Sequence, residues 1–169
     1  MALTNGQLLK YGPIKNEVSG PYIPIPMGAS EVVAAKSGRF VKNDGSGRAE
    51  IAVAGSTLLL GWIELPHNAN YSSTNIFTCS ATEGGDVAPL IPAWAALGIV
   101  FRIPVNTGTF VATMRGKTCD LSVVSNIQGA ALGASTEDTI IIVDGDLVNN
   151  AWVDVMINPS KITGLTGVV

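Results

Sequence analysis

Residue types that perform catalysis or bind metals are scarce in this chain. It contains one histidine, His67, and two cysteines, Cys79 and Cys119. A Ser-His-Asp or Cys-His arrangement would have to use His67, which lies in a loop-like stretch, and no G-x-S-x-G motif occurs. A zinc site needs three or four Cys or His ligands, and these three residues are not closely spaced. We therefore expect a protein that is not an enzyme and that needs no metal or cofactor.

Three short polar stretches could bind ions instead. Asn43-Asp44-Gly45 and Asp144-Gly145-Asp146 carry residue types that bind Ca²⁺, but neither continues to a Glu at the EF-hand spacing. Gly45-Ser46-Gly47-Arg48 could hold a phosphate, but it lacks both a G-K-[ST] sequence and a helix N-terminus after it. Because Asp, Asn and Gly tolerate left-handed backbone angles, turns are the favoured interpretation of these stretches.

The composition narrows the class of protein further. Of 169 residues, 47% are hydrophobic and 14% charged, which excludes a disordered chain. The net charge is −3 and no run of Lys or Arg occurs, so we expect no nucleic-acid partner. No apolar stretch approaches the roughly 20 residues of a membrane-spanning helix. Residues 1–7 do not resemble a secretory signal, so the two cysteines are expected to be free, buried thiols of a chain made in a reducing cytosol.

Alternating apolar residues predict an all-β fold with minimal helix. Alternation marks strands in residues 99–105, 119–124 and 152–157, and near-continuous apolar runs at 57–65 and 139–143 predict central strands. Gly-rich and Asn- or Asp-rich turns at 43–47 and 144–150 each join two strands into a hairpin.

Several segments leave two interpretations open. Residues 30–36 begin with a plausible helix cap, whereas Val32 and Val33 favour a strand. Residues 92–98 fit one short helical turn at most, since Pro begins and Gly ends the segment. Trp62 and Trp94 lie in apolar runs and are predicted to be core residues. Trp152 precedes an alternating strand and could face either way.

Residues 1–27 form a Pro-rich N-terminal segment. Four prolines alternate there with tyrosine and isoleucine, and proline cannot donate a hydrogen bond to a sheet. The segment is therefore predicted to be an extended arm or an edge strand. An apolar arm needs another surface on which to lie.

Two parts of the chain resemble a known family. Residues 37–42 (SGRFVK), a Gly-rich turn, 49–55 (AEIAVAG) and 60–64 (LGWIE) follow the order of a G-x-F/V-V strand, a turn and an A-x-x-G…G-W/V return strand. This order resembles the small β-barrel domains of tailed-bacteriophage head decoration (capsid cement) proteins. Residues 116–121 (GKTCDL), 139–146 (TIIIVDGD) and 153–159 (VDVMINP) are similar to phage virion structural proteins.

The resemblance implies a non-enzymatic homotrimer on the capsid exterior of a virion assembled in the host cytoplasm. Its partner would be the major capsid protein, whose neighbouring subunits it would clamp, and its arm would add edge-strand hydrogen bonds to a neighbouring subunit. It also implies one or two β-barrel, β-sandwich or β-tulip-like lobes. The predicted contact residues are Tyr11, Pro13, Tyr22, Ile23, Pro24 and Ile25.

The corresponding domain division has four parts. They are an arm (1–27), a barrel-like lobe (28–105) with a loop insertion near 66–92, a second lobe (106–160) and a tail (161–169). The alternative function is a ligand- or glycan-binding β module of a phage tail or fibre, which the Trp and Tyr residues and the polar loop at 68–80 favour.

Overall fold

The computed structural model describes residues 12–15, 22–34, 39–64 and 76–163. Within these ranges the chain forms thirteen β-strands and no α-helix, which confirms the all-β prediction. The helical content of the described residues is limited to two short 3-10 helices at Ala112–Met114 and Pro159–Lys161.

The strands are short and belong to three sheets. In chain order they are β1 (Gly12–Lys15), β2 (Ile23–Pro26), β3 (Val32–Ala34), β4 (Arg39–Asn43), β5 (Ala49–Ile51), β6 (Gly61–Ile63), β7 (Ile76–Thr78), β8 (Val87–Pro92), β9 (Val100–Thr107), β10 (Thr118–Val124), β11 (Ile127–Ala131), β12 (Ile140–Gly145) and β13 (Trp152–Ile157). The sheet orders are β1-β9-β11-β10-β12-β13, β2-β8-β6-β4-β5 and β3-β7.

The six-stranded sheet curls because β9 pairs with strands that lie at a distance from each other in the sheet order. Residues Phe101 to Pro104 of β9 pair antiparallel with β13, and Val105 and Thr107 pair in parallel with β11. These pairings connect β9, β11, β10, β12 and β13 in a ring, so the sheet is barrel-like. β1 adds to β9 opposite Val100 to Arg102.

The five-stranded sheet is the middle layer and has a core on each face. Alternation along β4 sends Phe40 to the core shared with the six-stranded sheet and Val41 to the core under the β3–β7 ribbon. Trp62 and Ile63 of β6 divide in the same way. Burial on both faces explains why residues 57–65 are apolar almost without interruption. The strand in that run is shorter than the run, but it is central, as predicted.

Both predicted hairpins are present, and the structure shows the conformation of residues 32–34 and 92–96, which the sequence left open. β4 pairs with β5 and β12 pairs with β13. Residues 32–34 form a strand, β3, rather than a helix. After β8, the N–H of Ala96 donates to the carbonyl oxygen of Pro92 at 3.0 Å, so these residues form a hydrogen-bonded turn, within the one helical turn at most that the sequence allows.

One core prediction is confirmed and another is wrong. Trp62 is 2% exposed and packs edge-on against Phe40, with ring centroids 4.7 Å apart. Trp94, predicted to be a core residue, is 56% exposed. The prediction was wrong because an apolar run does not show which of its residues are buried. The turn after β8 buries Ala93 and Ala96 and directs the intervening indole of Trp94 outward.

The predicted domain boundaries can be located relative to the strands, and the division itself remains a prediction. The division at residue 105 falls inside β9, a strand of the six-stranded sheet. Residues 66–92, predicted as a loop insertion, contain β7 and β8. Of the predicted arm, 12–15 pair with β9 and 23–26 pair with β8.

Candidate interaction surface

The six predicted contact residues lie in different places. Tyr11 is outside the described residues. Pro13 lies in β1, half-buried opposite Phe101 of the six-stranded sheet. The other four residues, Tyr22, Ile23, Pro24 and Ile25, lie in or directly before β2, at the edge of the five-stranded sheet. The predicted group is therefore divided between two sheets.

Because side chains alternate along β2, these four residues lie on two opposite faces of the sheet. Ile23 is opposite Leu90 and Ile25 is opposite Ala88, and Leu90 and Ala88 are buried in the core under the ribbon. Directly opposed residues of antiparallel strands project to the same face. Ile23 and Ile25 therefore face that core, although Ile23 remains 41% exposed at the end of the sheet.

The opposite face of β2 and β8 carries an apolar surface, which we call the β2–β8 outer face. Pro24 is opposite Pro89, and Pro26 is opposite Val87, which is 52% exposed. Tyr22, which is exposed, precedes β2. The members of the outer face are Tyr22, Pro24, Pro26, Val87, Pro89 and the neighbouring Glu64.

Glu64 gives this surface its polar group. The hydroxyl of Tyr22 donates to Oε1 of Glu64 at 3.5 Å across β8. Partial burial, followed by the charge and hydrogen bond of Glu64, raises the pKa of Tyr22. The tyrosine therefore stays protonated near neutral pH and presents a neutral ring beside one carboxylate.

Sequence reasoning missed Val87 and Glu64. They lie far from β2 along the chain, and only the pairing of β2 with β8 and of β8 with β6 brings them to the same face. Each one is an ordinary residue in its local sequence, so no local pattern signals its place on a surface.

The Gly-rich turn between β4 and β5 uses its own side chains to satisfy its amides. The N–H groups of Gly45 and Gly47 donate to Oδ1 of Asn43, and those of Ser46 and Arg48 donate to Oδ1 of Asp44. The hydrogen bond from the Arg48 N–H is the main reason that the pKa of Asp44 lies below its ordinary value. Since these amides already have acceptors, the geometry is that of a turn and not of a phosphate cradle.

The second acidic turn is organised in the same way. The Asp146 carboxylate accepts from the N–H groups of Val148, Asn149 and Ala151, and the bond from Asn149 is the first cause of its lowered pKa. Asp144 pairs with Arg115 at 2.7 Å. The described residues contain no cluster of three His, Cys, Asp or Glu side chains that could hold a metal ion.

Both cysteines are free and buried, as predicted. Burial raises the pKa of Cys79 to about 11 and that of Cys119 to about 12, with smaller contributions from neighbouring carboxylates. A nucleophilic cysteine needs a lowered pKa, so these thiols have the environment of structural residues.

Two surface pockets of about 480 and 490 Å³ each have a single lysine as the ionisable residue among the described lining residues. Lys117 lies in the first, near Met114, Leu132 and Ile142, and Lys42 lies in the second. Lys42 is paired with Glu50 at 2.8 Å. Neither set of lining residues brings together an acid and a base, which general acid–base chemistry requires.

Trp152 lies on the surface of the six-stranded sheet. The guanidinium of Arg102 lies 3.6 Å from the centre of the Trp152 ring and is held there by two hydrogen bonds to Asp154, of 2.7 and 2.9 Å. The cation thus covers one face of the indole. The sequence left the direction of Trp152 open, and the pairing of β9 with β13 decides it.

Comparisons with known proteins identify no relative of this chain. No protein-family model, curated protein or solved structure matches the chain. Among the described residues, no helix is long and apolar enough to cross a membrane.

Proposed function

We propose that this protein is a viral structural protein that binds the outer surface of an assembled icosahedral phage capsid and stabilises it by clamping neighbouring major capsid subunits. The observation that carries the proposal is the β2–β8 outer face, a partly exposed, proline-rich surface at the edge of the five-stranded sheet. The sequence resemblance to capsid cement proteins supplies the identity of the partner.

The construction of this face supports a role in protein contact. Three of its members are prolines, which lose no backbone freedom at φ on binding, and Tyr22 is of a type enriched at interfaces. β2 pairs with β8 at four successive residues, so the backbone that carries the face is held by the sheet. A preorganised apolar surface loses less conformational entropy when a partner covers it.

The location of the face supports a clamp. β1 belongs to the six-stranded sheet and β2 to the five-stranded sheet, so the N-terminal segment contributes a strand to each of two layers. The face itself belongs to the five-stranded sheet, and the pairing of β1 with β9 gives the N-terminal segment a second attachment in the six-stranded sheet. In the proposed homotrimer, three copies of this face would contact major capsid subunits.

Co-sedimentation with undecorated capsids tests the proposal. The wild-type protein is expected to pellet with capsids at a stoichiometry comparable to that of the major capsid protein, and light scattering should report a trimer. Tyr22→Ala/Val87→Ser should lower the bound fraction at least tenfold. Leu147→Ala/Val148→Ser, which truncates exposed residues in the β12–β13 turn, is the matched control and should bind as wild type. Wild-type protein that stays in the supernatant would overturn the proposal.

The exposed indole of Trp94 favours a second candidate, the ligand- or glycan-binding module. An apolar ring held on a fixed turn can stack on the face of a sugar. Binding to a glycan array that Trp94→Ala abolishes, without any affinity for capsids, would support this function instead.

A further inference from the structure

We propose that the side chain of Glu31 is a pH-sensitive latch: protonated, it holds the five-stranded sheet closed as a ring, and ionised, it lets the ring open more often. The closure joins residues 27–31, which we call the strap, to β5 at the far end of the sheet order. This local equilibrium is a property of the isolated protein and does not depend on capsid binding.

The backbone of the strap closes the ring at one point. Met27, directly after β2, forms a parallel bridge with Ala49 of β5, and the N–H of Gly28 donates to the carbonyl oxygen of Ala49 at 2.9 Å. The sheet order places β2 and β5 at opposite ends of the five-stranded sheet. Contact between the strap and β5 therefore joins the two ends.

Beyond this point, the carboxyl group of Glu31 replaces a backbone acceptor. In a continued parallel ladder, the next N–H of β5 would donate to a carbonyl oxygen of the strap. The strap instead turns at Ser30, whose φ is 58° and whose N–H donates to the carbonyl oxygen of Ser80 at 2.9 Å. The N–H of Ile51 donates to Oε2 of Glu31 at 3.0 Å. A hydrogen bond of the ring closure thus depends on a titratable side chain.

The backbone of Glu31 is attached on the other side, to the chain that follows β7. Its carbonyl oxygen accepts from the N–H of Cys79 at 2.8 Å. The side chain can therefore leave β5 while the backbone keeps its place beside the β3–β7 ribbon. Met27, Ala49 and Ile51 are buried in the core under the ribbon, so opening at β5 would expose part of that core.

The neighbouring carboxylates have bases of their own, whereas Glu31 has an amide. Glu50 pairs with Lys42 at 2.8 Å, and Glu83 pairs with Arg48 at 2.8 Å. Among the described residues, no Lys or Arg forms an ion pair with Glu31. The titratable and charged groups on the elements packed around it are Lys42, Arg48, Glu50, Cys79, Glu83 and Asp86.

The closest of these acids shares a small space with Glu31. A Cβ on Gly28 would lie 3.2 Å from Cγ of Glu50 and 3.6 Å from Cγ of Glu31, so both side chains pack over this glycine. Burial is the main reason that the pKa of Glu31 is raised, and Glu50 and Glu83 add to the shift, although the Ile51 N–H and Lys42 oppose it.

The sign of the pH effect follows from this environment. The closed ring binds the Glu31 proton more tightly than an open ring with this side chain in water. Closure is therefore strongest below the ordinary pKa of 4.5 and weakens as the pH rises through the raised value of the closed ring.

Hydrogen exchange of single amides tests the latch. The protection factor, which corrects for the intrinsic pH dependence of exchange, should be several-fold lower for Ile51 at pH 7.5 than at pH 4. The neighbouring N–H of Ala52, which donates to Phe40 in the other core, should change less. Glu31→Gln should abolish the difference at Ile51, and Glu137→Gln should retain it. Protection of Ile51 that is constant or rises with pH, or a wild-type difference in Glu31→Gln, would overturn the proposal.

An NMR titration of the Glu31 carboxyl carbon tests the wild-type protein without a substitution in the latch. Its midpoint should lie above 4.5 and coincide with the pH at which protection of Ile51 falls. Glu50→Gln removes the carboxylate beside Gly28 and should move the midpoint to lower pH, whereas Glu137→Gln should not. A midpoint at or below 4.5, or one separate from the loss of protection, would contradict the latch.

Discussion

The side-chain amide of Gln128 takes the place of a backbone peptide opposite Phe40. Its Oε1 accepts from the N–H of Phe40 at 2.8 Å, and its Nε2 donates to the carbonyl oxygens of Phe40 at 2.9 Å and Ala52 at 2.7 Å. Gln128 lies in β11 and Phe40 in β4, so this pair joins the six-stranded sheet to the five-stranded sheet. Nearby, the buried guanidinium of Arg39 donates to the carbonyl oxygen of Asn126 at 3.1 Å.

Replacing Gln128 with Met should cost about 3 kcal/mol of unfolding free energy, because buried backbone groups of Phe40 and Ala52 lose their partners while the volume is kept. Urea denaturation measures the change. Ser122→Ala is the control: its hydroxyl makes only a 3.5 Å contact with the Gly129 carbonyl oxygen in the same region, and the change should be below about 0.5 kcal/mol. Equal stability of Gln128→Met and wild type would show that the amide does not hold the sheets together.

Gly145 allows the ring of Phe110 to approach β12. A Cβ on Gly145 would lie 2.7 Å from ring atoms of Phe110, which is buried. Gly145→Ala should therefore destabilise the protein by about 1–3 kcal/mol through overpacking. Gly133→Ala is the matched control, because its Cβ would meet nothing within 4 Å, and its stability should equal or slightly exceed that of wild type. Equal melting temperatures for the two variants would contradict this account of Gly145.

Cys79 and Cys119 should be nearly inert in the folded protein. With a pKa of about 11, only about one Cys79 side chain in a thousand is a thiolate at pH 8, and burial limits access further. Labelling with a thiol-specific disulfide reagent should be slow in buffer and should reach two thiols per chain in guanidinium chloride. Rapid labelling of native protein would show that a cysteine is accessible and reactive.

Ionisation of Glu31 should lower the free energy of unfolding as the pH rises. Burial, together with repulsion from Glu50 and Glu83, raises its pKa in the folded state above the ordinary value of 4.5, although a hydrogen bond from the Ile51 N–H opposes the shift. The native state thus binds this proton more tightly than the unfolded state does. Stability from Glu31 is present below pH 4.5 and is lost as the pH rises through the raised folded value.

Glu31→Gln should remove this pH dependence while keeping an oxygen for the Ile51 N–H. The melting temperature of the variant should match that of wild type at pH 4 and exceed it modestly at pH 7.5. Glu137→Gln, which removes a charge from another loop, is the control for net charge. A variant that is less stable than wild type at pH 7.5 would mean that the carboxylate stabilises the native state.

Much of the fold was predictable from local sequence. Period-two alternation and the turn residues at 43–47 and 144–150 predicted strands and two hairpins, because strand geometry and turn angles depend on neighbouring residues. The turn stretches were interpreted correctly for the same reason: Asp44 and Asp146 accept hydrogen bonds from amides only two to five residues away. The scarcity of His and Cys is likewise a property of composition.

The candidate surface was predictable only in part. The prolines of residues 1–27 predicted an extended arm or an edge strand, and β2 is at an edge in the sheet order; prolines also occur in β8 and β9, which are interior strands. Local sequence could not show that Ile23 and Ile25 face a core while Pro24 faces outward, nor that Val87 and Glu64 lie beside Tyr22. Trp94 and Ala93 are equally apolar in the sequence, yet one is exposed and the other buried.

The sequence alone determined that this chain is all-β and where its hairpins turn. Tertiary structure decided which face of each strand is covered, that β9 joins both β11 and β13, and that Gln128 meets Phe40, 88 residues away. The physical reason is that alternation sets two faces for every strand, whereas burial of a face depends on the strands and layers that pack against it. Those partners are distant in the chain, so no local pattern specifies them.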